Sequence, residues 1–168
     1  MAQTLLLGLG GTGSRIVNYV AEELRSKGIS FNDGNICCAV LDTNDNDRKK
    51  LADRGSGIPI IPTSKDRTID NYIKMYANKG VDDWMPASPA LLKESMRDGA
   101  SQMRVKSRLA FLDTVEDRTI QQLERHIEKM FDKRDTAKIR VMVVSSLAGG
   151  TGSGMFIQTG LWLRKFFA

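Results

Sequence analysis

The segment "SLAGGTGSGM" at residues 146–155 follows a strand-like apolar run and precedes an apolar stretch that continues to Ala168. A nearly matching segment, "GLGGTGSRIV", stands at residues 8–17, also after an apolar run and before a helical pattern. Glycine allows close backbone approach, and the free N–H groups at the start of a helix attract phosphate. We call residues 8–13 the N-terminal glycine turn and residues 148–154 the C-terminal glycine turn. Together they predict two groups of amide donors that hold one chain of phosphates from two sides.

The apolar runs of the chain indicate strands that alternate with helices. Buried strands are predicted at "QTLLLGLG" (3–10) and "NICCAVLDTN" (35–44), a short strand at "GIPIIP" (57–62), and a further strand at "KIRVMVVSSL" (138–147). The hydrophobicity of residues 35–44 is continuous, which is typical of a parallel strand that is covered on both faces. The sequence therefore predicts an α/β fold with a Rossmann-like, mostly parallel sheet and helices on both faces.

Helical spacing connects these strands. Residues 14–27 are predicted as a helix with Ser14 as its N-cap. About 102–133 are predicted as one long helix, or as two with a bend near Asp117. Residues 151–168 are predicted as a final helix that is apolar around most of its circumference.

Composition narrows the class of protein. A chain of 168 residues that is 41% hydrophobic fits a single domain. The net charge of +5, with Lys and Arg dispersed, suits a phosphate-bearing ligand or an acidic partner, and no motif for nucleic acid accompanies it. No apolar run is long enough to span a membrane. Cys37 and Cys38 are adjacent and rarely pair in that arrangement, so the expected location is the reducing cytoplasm.

The N-terminal glycine turn, taken alone, matches a dinucleotide-binding fingerprint. Gly8, Gly10 and Gly13 satisfy G-x-G-x-x-G, and Asp42 ends the next strand, where such proteins place a ribose-binding carboxylate. This pattern supports an alternative function as a Rossmann-type NAD(P)- or FAD-binding oxidoreductase. A Walker A loop is excluded, because neither turn ends in Gly-Lys-Ser or Gly-Lys-Thr.

The C-terminal glycine turn resembles the G-G-T-G-[ST]-G signature of the tubulin superfamily, which includes tubulin and the bacterial division protein FtsZ. The N-terminal turn resembles the first nucleotide loop of that family. Residues 37–47, "CCAVLDTNDND", are similar to the second strand of FtsZ and the loop that follows it. Residues 99–110, "GASQMRVKSRLA", resemble the third loop of the family, which senses the terminal phosphate. The similarities follow one another in family order and touch most of the chain.

This resemblance implies a GTPase domain of the tubulin/FtsZ type that binds GTP or GDP, with Mg²⁺. It implies head-to-tail assembly with further copies of the chain, and GTP hydrolysis that is completed at the contact between subunits. The phosphates are expected on the backbone amides of Gly10, Gly11, Thr12, Gly13, Gly149, Gly150, Thr151, Gly152 and Ser153. Contacts to the base, the ribose, the magnesium ion or the terminal phosphate are expected from Arg15, Asp42, Asp45, Gly99, Ala100 and Arg104, with Arg108 as a further candidate. No direct metal ligand and no catalytic residue is expected within this chain.

Two departures from the family pattern carry further expectations. Residues 63–92 are longer than the corresponding part of FtsZ, which indicates an insertion and a divergent bacterial or phage protein. The family's GTPase domain continues past the position of Ala168, so residues 1–168 are expected to form the N-terminal, nucleotide-binding portion of a longer protein. Such a portion is expected to bind nucleotide weakly or not at all in isolation, and not to hydrolyse it. A non-hydrolysing tubulin-like scaffold is a second alternative.

Overall fold

The structure is a computed structural model that describes residues 3–31, 35–86, 88–97, 99–131 and 139–168. These residues contain four strands and seven α-helices. The strands are β1 (Gln3–Leu9), β2 (Ile36–Asp42), β3 (Ile60–Pro62) and β4 (Ile139–Ser145). The helices are α1 (Gly10–Ser26), α2 (Asp45–Asp53), α3 (Ile69–Met75), α4 (Pro89–Leu92), α5 (Arg104–Glu116), α6 (Gln121–Met130) and α7 (Gly150–Phe166). The predicted α/β class is confirmed.

The described strands form one sheet in the order β3-β2-β1-β4, and every neighbouring pair is parallel. In the centre of the sheet, Gly8 lies opposite Val40 on one side and Val144 on the other. The chain adds β2 and β3 on one side of β1 and then returns to add β4 on the other. The carboxyl ends of β1 and β4 therefore flank a topological switch point, which is where open parallel sheets bind their ligands.

Helices cover both faces of this sheet, as predicted. On one face, Leu5 and Leu7 of β1 pack with residues of α5, α6 and α7, among them Leu123 and Met155. On the other face, Leu6 of β1 packs against α1, α2 and the segment before β3. Neighbouring residues of a strand point to opposite faces. Cys37 and Cys38 accordingly lie in different clusters, and neither forms a disulfide.

Most of the segment predicted as an insertion, residues 63–92, packs against α5. Its described part contains α3, two single 3-10 turns and α4, which build a separate apolar cluster with residues of α5 such as Leu109. The hydroxyl of Tyr76 donates a 2.6 Å hydrogen bond to the buried carboxylate of Asp113 in α5. An Arg67 guanidinium nitrogen lies 3.5 Å from the same carboxylate. Polar contacts thus anchor this segment to the helix behind the sheet.

The helix boundaries differ from prediction at one important place. Helix α1 begins at Gly10, with Leu9 as its N-cap, so Ser14 is a buried residue inside the helix and not its cap. The N-terminal glycine turn therefore runs directly into the first helical turn, without an intervening loop. Of the two arrangements left open for residues 102–133, the structure has the two helices, because α5 ends at Glu116 and α6 begins at Gln121. In the described part of the chain, no helix is both long and apolar enough to cross a membrane.

Candidate functional site

The two glycine turns contact each other at the carboxyl ends of β1 and β4. Gly10 has a positive φ of +69°, and a Cβ atom there would lie 2.9 Å from the Cβ of Thr151. A Cβ atom on Gly152 would lie 2.8 Å from the carbonyl oxygen of Leu9. Real Cβ atoms do not approach other groups so closely, so glycine at these positions permits the approach of the two turns.

Close packing also explains why other positions of the turns are glycine. A Cβ atom on Gly13 would overlap the carbonyl oxygen of Val144 in β4. A Cβ atom on Gly150 would lie 2.7 Å from the Cα of Gln102. The composition of the turns is therefore explained in large part by close packing of backbone on backbone.

Gly149 and Gly11 are different, because no rigid neighbour excludes a side chain there. A Cβ atom on Gly149 would meet only the Cβ of Ser146, at an ordinary 4.0 Å. At Gly11 the closest neighbour, 2.9 Å from such a Cβ, is the carboxylate of Asp47, at the end of a side chain that can move. Both glycines are partly accessible to solvent. These positions leave the backbone open to a ligand.

Helices α1 and α7 begin without side-chain caps, side by side at this edge. In neither first turn does a described side chain accept an N-terminal amide hydrogen, and neither first turn contains an acidic residue. Helices α2 and α3, by contrast, are capped by Asn44 and Thr68. The first amides of an uncapped helix are unpaired donors at the positive end of the helix dipole. Two such ends together make a binding site for anions.

The amide of Ser153 is not one of these donors. It donates to the carbonyl oxygen of Gly149 at 3.4 Å, and the Ser153 hydroxyl hydrogen-bonds the same oxygen. Its backbone is thus engaged within α7. The amides that precede it in the C-terminal turn, at Gly150, Thr151 and Gly152, have the helix-start positions that lack intrahelical partners.

The turn between β2 and α2, residues 42–45, joins the same site. The Oγ1 atoms of Thr43 and Thr151 lie 2.7 Å apart and share a hydrogen bond. Gly99, with φ of +89°, approaches Asn44 so closely that a Cβ atom would lie 3.3 Å from the Asn44 side chain. Residues 42–45 therefore link the C-terminal glycine turn to the segment that begins at Gly99.

That segment, residues 99–104, closes the site from the side of α5. Ser101 and Gln102 both adopt positive φ, 46° and 63°, a conformation that is uncommon for residues other than glycine. In the first turns of α5, Arg104 donates to the carbonyl oxygen of Leu147 at 3.3 Å. The Ser107 hydroxyl donates to the carbonyl oxygen of Gly150 at 2.8 Å. Four segments that are distant in sequence thus meet at one edge of the sheet.

The two aspartates predicted near the ligand have different surroundings. Asp42 is buried, its Oδ1 accepts the amide of Asn44 at 3.0 Å, and its Oδ2 has no hydrogen-bond partner. Burial raises the pKa of Asp42 from its ordinary value of 3.8 to about 6. Asp45 instead pairs with Lys49 at 2.8 Å and with Arg48 at 3.1 Å, and the hydrogen bond from Lys49 lowers its pKa. Asp42 is therefore the carboxylate with unused hydrogen-bonding capacity.

The remaining predicted residues divide between the site and other surfaces. Arg15 is exposed, and its guanidinium lies 3.8 Å from the position of a Cβ on Gly11. Ala100 is buried beside Gly99. Arg108 lies over the ring of Trp84, 4.1 Å from the ring centroid, and is separate from the glycine turns. The structure places Arg15 at the site and Arg108 away from it.

Several residues of the site were not predicted from the sequence. They are Thr43, Asn44, Asp47, Gln102 and Ser107. Thr43 and Asn44 stand inside the "DTND" stretch that resembles the FtsZ loop, which was their only signal. Their roles follow from contacts between segments that no local pattern specifies. Among the described residues, no three His, Cys, Asp or Glu side chains are grouped so as to hold a metal ion.

A parallel sheet with helices on both faces, and glycine turns at its switch point, defines a Rossmann-like domain of the tubulin type. The chain belongs to the tubulin-like family, whose sequence model matches residues 5–168. No curated protein and no solved structure gives a significant match to the chain. The match covers both glycine turns, whereas the dinucleotide-binding alternative uses only the first. The resemblance seen in the sequence is thereby confirmed.

Proposed function

We propose that the chain binds GTP, with Mg²⁺, across the two glycine turns and assembles head to tail with copies of itself in the cytoplasm. Membership of the tubulin-like family supports nucleotide binding and self-assembly. The observation that carries the proposal is the meeting of two uncapped helix starts at the β1–β4 switch point. Any bound nucleotide is held without a Walker lysine.

In this proposal the phosphates lie between α1 and α7. The amides of Gly11 and Thr12 approach them from one side, and those of Gly150 and Thr151 from the other. Gly149 has no side chain to obstruct them, and both helix dipoles stabilise their negative charge. The 99–104 segment, with three residues at positive φ, is held against Gly150 and is the proposed reporter of the terminal phosphate.

A magnesium ion fits this site with few protein ligands. Mg²⁺ commonly keeps several waters and binds substrate phosphates together with one or two carboxylates. Asp42 Oδ2 is buried without a partner, which makes Asp42 the proposed carboxylate that faces the hydrated ion. Asp45 is already paired with two cations of α2. When bound, the ion would neutralise phosphate charge.

Hydrolysis is proposed to take place at the contact between successive subunits. The test is to measure GTP turnover and light scattering on the intact protein over a range of protein concentrations. We expect turnover per chain to rise at the concentration where assembly begins. A turnover per chain that stays constant through assembly would contradict a shared site, and assembly without turnover would favour the non-hydrolysing scaffold.

Ligand identity is tested by calorimetric titration of the intact protein with GTP, GDP, ATP and NAD⁺ in the presence of Mg²⁺. We expect saturation at one guanine nucleotide per chain and weaker binding of GTP after Mg²⁺ is removed with a chelator. Binding of NAD⁺ with no response to GTP would overturn the proposal in favour of the oxidoreductase.

A further inference from the structure

A polar cavity lies beside the N-terminal glycine turn, between α1 and α2. It has a volume of about 270 Å³. Its walls are formed by Gly11, Ser14 and Arg15 from α1, and by Asp47, Lys50, Leu51 and Arg54 from α2 and its C-cap. We call it the α1–α2 cavity. Gly11, Arg15 and Asp47 are shared with the nucleotide site proposed above, whereas Ser14, Lys50, Leu51 and Arg54 have no role in that site.

Positive charge dominates the walls of the α1–α2 cavity. Arg15, Lys50 and Arg54 line it, against the single carboxylate of Asp47. In the described part of the chain, no carboxylate forms an ion pair with any of these three cations. Neighbouring cations of α2, such as Lys49, are paired with Asp45. Arg54 also lies over the ring of Tyr19, 5.8 Å from the ring centroid. Cations that converge on a cavity without carboxylate partners favour an anionic occupant.

Ser14 supplies a second, independent observation. Its side chain is only 4% exposed, and its Oγ atom has no hydrogen-bond partner in the structure. A buried hydroxyl without a partner is destabilising, and such groups are rare in folded proteins. Ser14 borders the α1–α2 cavity, which makes a ligand oxygen in the cavity the proposed partner of this hydroxyl.

We infer that the α1–α2 cavity binds a phosphate group other than those held by the glycine turns. Arginine presents a planar pair of donors that match phosphate oxygens, and lysine adds a compact charge. The phosphate belongs either to a separate molecule or to a nucleotide that reaches across Gly11 from the glycine turns. The chemistry of recognition is the same in both cases, and it depends on Lys50 and Arg54, which lie outside the nucleotide site.

The experiment uses inorganic phosphate as the probe, titrated into the intact protein and followed by calorimetry and ³¹P NMR. A Lys50→Gln/Arg54→Gln variant is compared with a Lys49→Gln/Arg164→Gln variant, which loses the same charge from exposed positions outside the cavity. We expect the first to weaken phosphate binding at least tenfold and the second to change it less than twofold. Equal affinity in both variants and the unaltered protein, or no binding at millimolar phosphate, would overturn the inference.

A Ser14→Ala variant separates an effect on phosphate binding from an effect on folding. Removal of an unpartnered buried hydroxyl should raise the melting temperature, while the loss of a phosphate contact should weaken phosphate binding several-fold. A variant that is less stable and binds phosphate as before would contradict the role of Ser14.

Titration of phosphate into protein saturated with GTP separates the two sources. Undiminished phosphate binding identifies a separate molecule. Competition, together with weaker GTP binding by Lys50→Gln/Arg54→Gln, identifies the phosphate as part of the nucleotide.

A Gly149→Asp variant distinguishes this inference from the proposed function, because it alters the C-terminal glycine turn and leaves the α1–α2 cavity intact. Loss of GTP binding with retained phosphate binding would show that the cavity acts on its own.

Discussion

The hydroxyl of Thr43 lies 2.7 Å from the hydroxyl of Thr151, although 108 residues separate the two along the chain. Thr43 is fully buried after β2, and Thr151 stands in the first turn of α7. This single hydrogen bond joins the β2–α2 turn to the C-terminal glycine turn. It holds together two of the four segments from which the candidate nucleotide site is built.

A double-mutant cycle on this pair measures how strongly the two segments are coupled. Thr43→Val and Thr151→Val should each lower the free energy of unfolding by about 1–2 kcal/mol, because each leaves one hydroxyl without its partner. The double variant should lose less than the sum, with a coupling of about 1 kcal/mol. Urea denaturation provides the measurement, and strictly additive losses would show that the hydrogen bond is not formed in solution.

Gly149→Asp tests the anion site without disturbing its packing. Gly149 has extended backbone angles (φ −81°, ψ 149°) and no close neighbour, so it accepts a side chain at the N-cap of α7. Aspartate is a favourable N-cap, so thermal stability should stay level or rise. Its carboxylate would occupy the amides and repel phosphate, and we expect GTP affinity to fall at least tenfold.

The matched control is Gly149→Asn, which caps the helix without adding charge. We expect GTP affinities in the order unaltered protein, Gly149→Asn, Gly149→Asp, measured by calorimetry. Affinities that are the same for all three would place the phosphates elsewhere.

Gly13→Ala and Gly160→Ala should have opposite effects on stability. A methyl group on Gly13 would overlap the carbonyl oxygen of Val144 in β4, which is hydrogen-bonded to β1, and overpacking of this kind typically costs about 1–3 kcal/mol. A methyl group on Gly160, inside α7, would meet nothing within 4 Å. Alanine there should stabilise the protein by about 0.5–1 kcal/mol. Chemical denaturation of both variants checks the prediction, and a neutral Gly13→Ala would mean that Gly13 lies farther from β4 than in the structure.

Because of Asp42, we expect the free energy of unfolding to fall as the pH rises from about 4 to about 6. Its pKa in the folded protein is about 6, above the ordinary 3.8, so the folded state holds the proton more tightly in this window. Well above pH 6 the carboxylate is ionised in both states, and the loss of stability relative to pH 4 is on the order of 2 kcal/mol. Asp42→Asn should remove this part of the pH dependence, and Asp53→Asn, at an exposed position in α2, should leave it unchanged. The free energy of unfolding is measured by chemical denaturation between pH 4 and pH 7. If it changes with pH in the same way for the unaltered protein and Asp42→Asn, the burial of a carboxyl group here is contradicted.

The strands and the two glycine turns were predictable because their signals are local. Each strand is a continuous apolar run, and each turn is a short run of small residues between a strand and a helix. The start of α1 was placed too late, at Ser14, because glycines have low helix propensity. Here the packing of Gly10 and Gly13 against other backbone outweighs that propensity.

Most of the polar contacts at the site could not be predicted in the same way. The bonds from Thr43 to Thr151 and from Ser107 to Gly150 join segments that are distant in sequence. Such contacts depend on strand order, and no periodicity within one element encodes them. The same reason explains Arg108, whose spacing matches the family's third loop but whose side chain lies on Trp84.

The pairing of β1 with β4 has a consequence for the order in which the protein is made. β1 leaves the ribosome before β2 and β3 and the helices between them, and its neighbour β4 follows only after all of these. At translation rates of about 5–20 residues per second, β1 waits on the order of ten seconds for that partner. During this interval one edge of the apolar strand β1 is unpaired in the nascent chain. We expect chaperones to bind the nascent chain at this stage. Under the proposed function, nucleotide cannot assist these early steps, because half of the candidate site has not yet been synthesised.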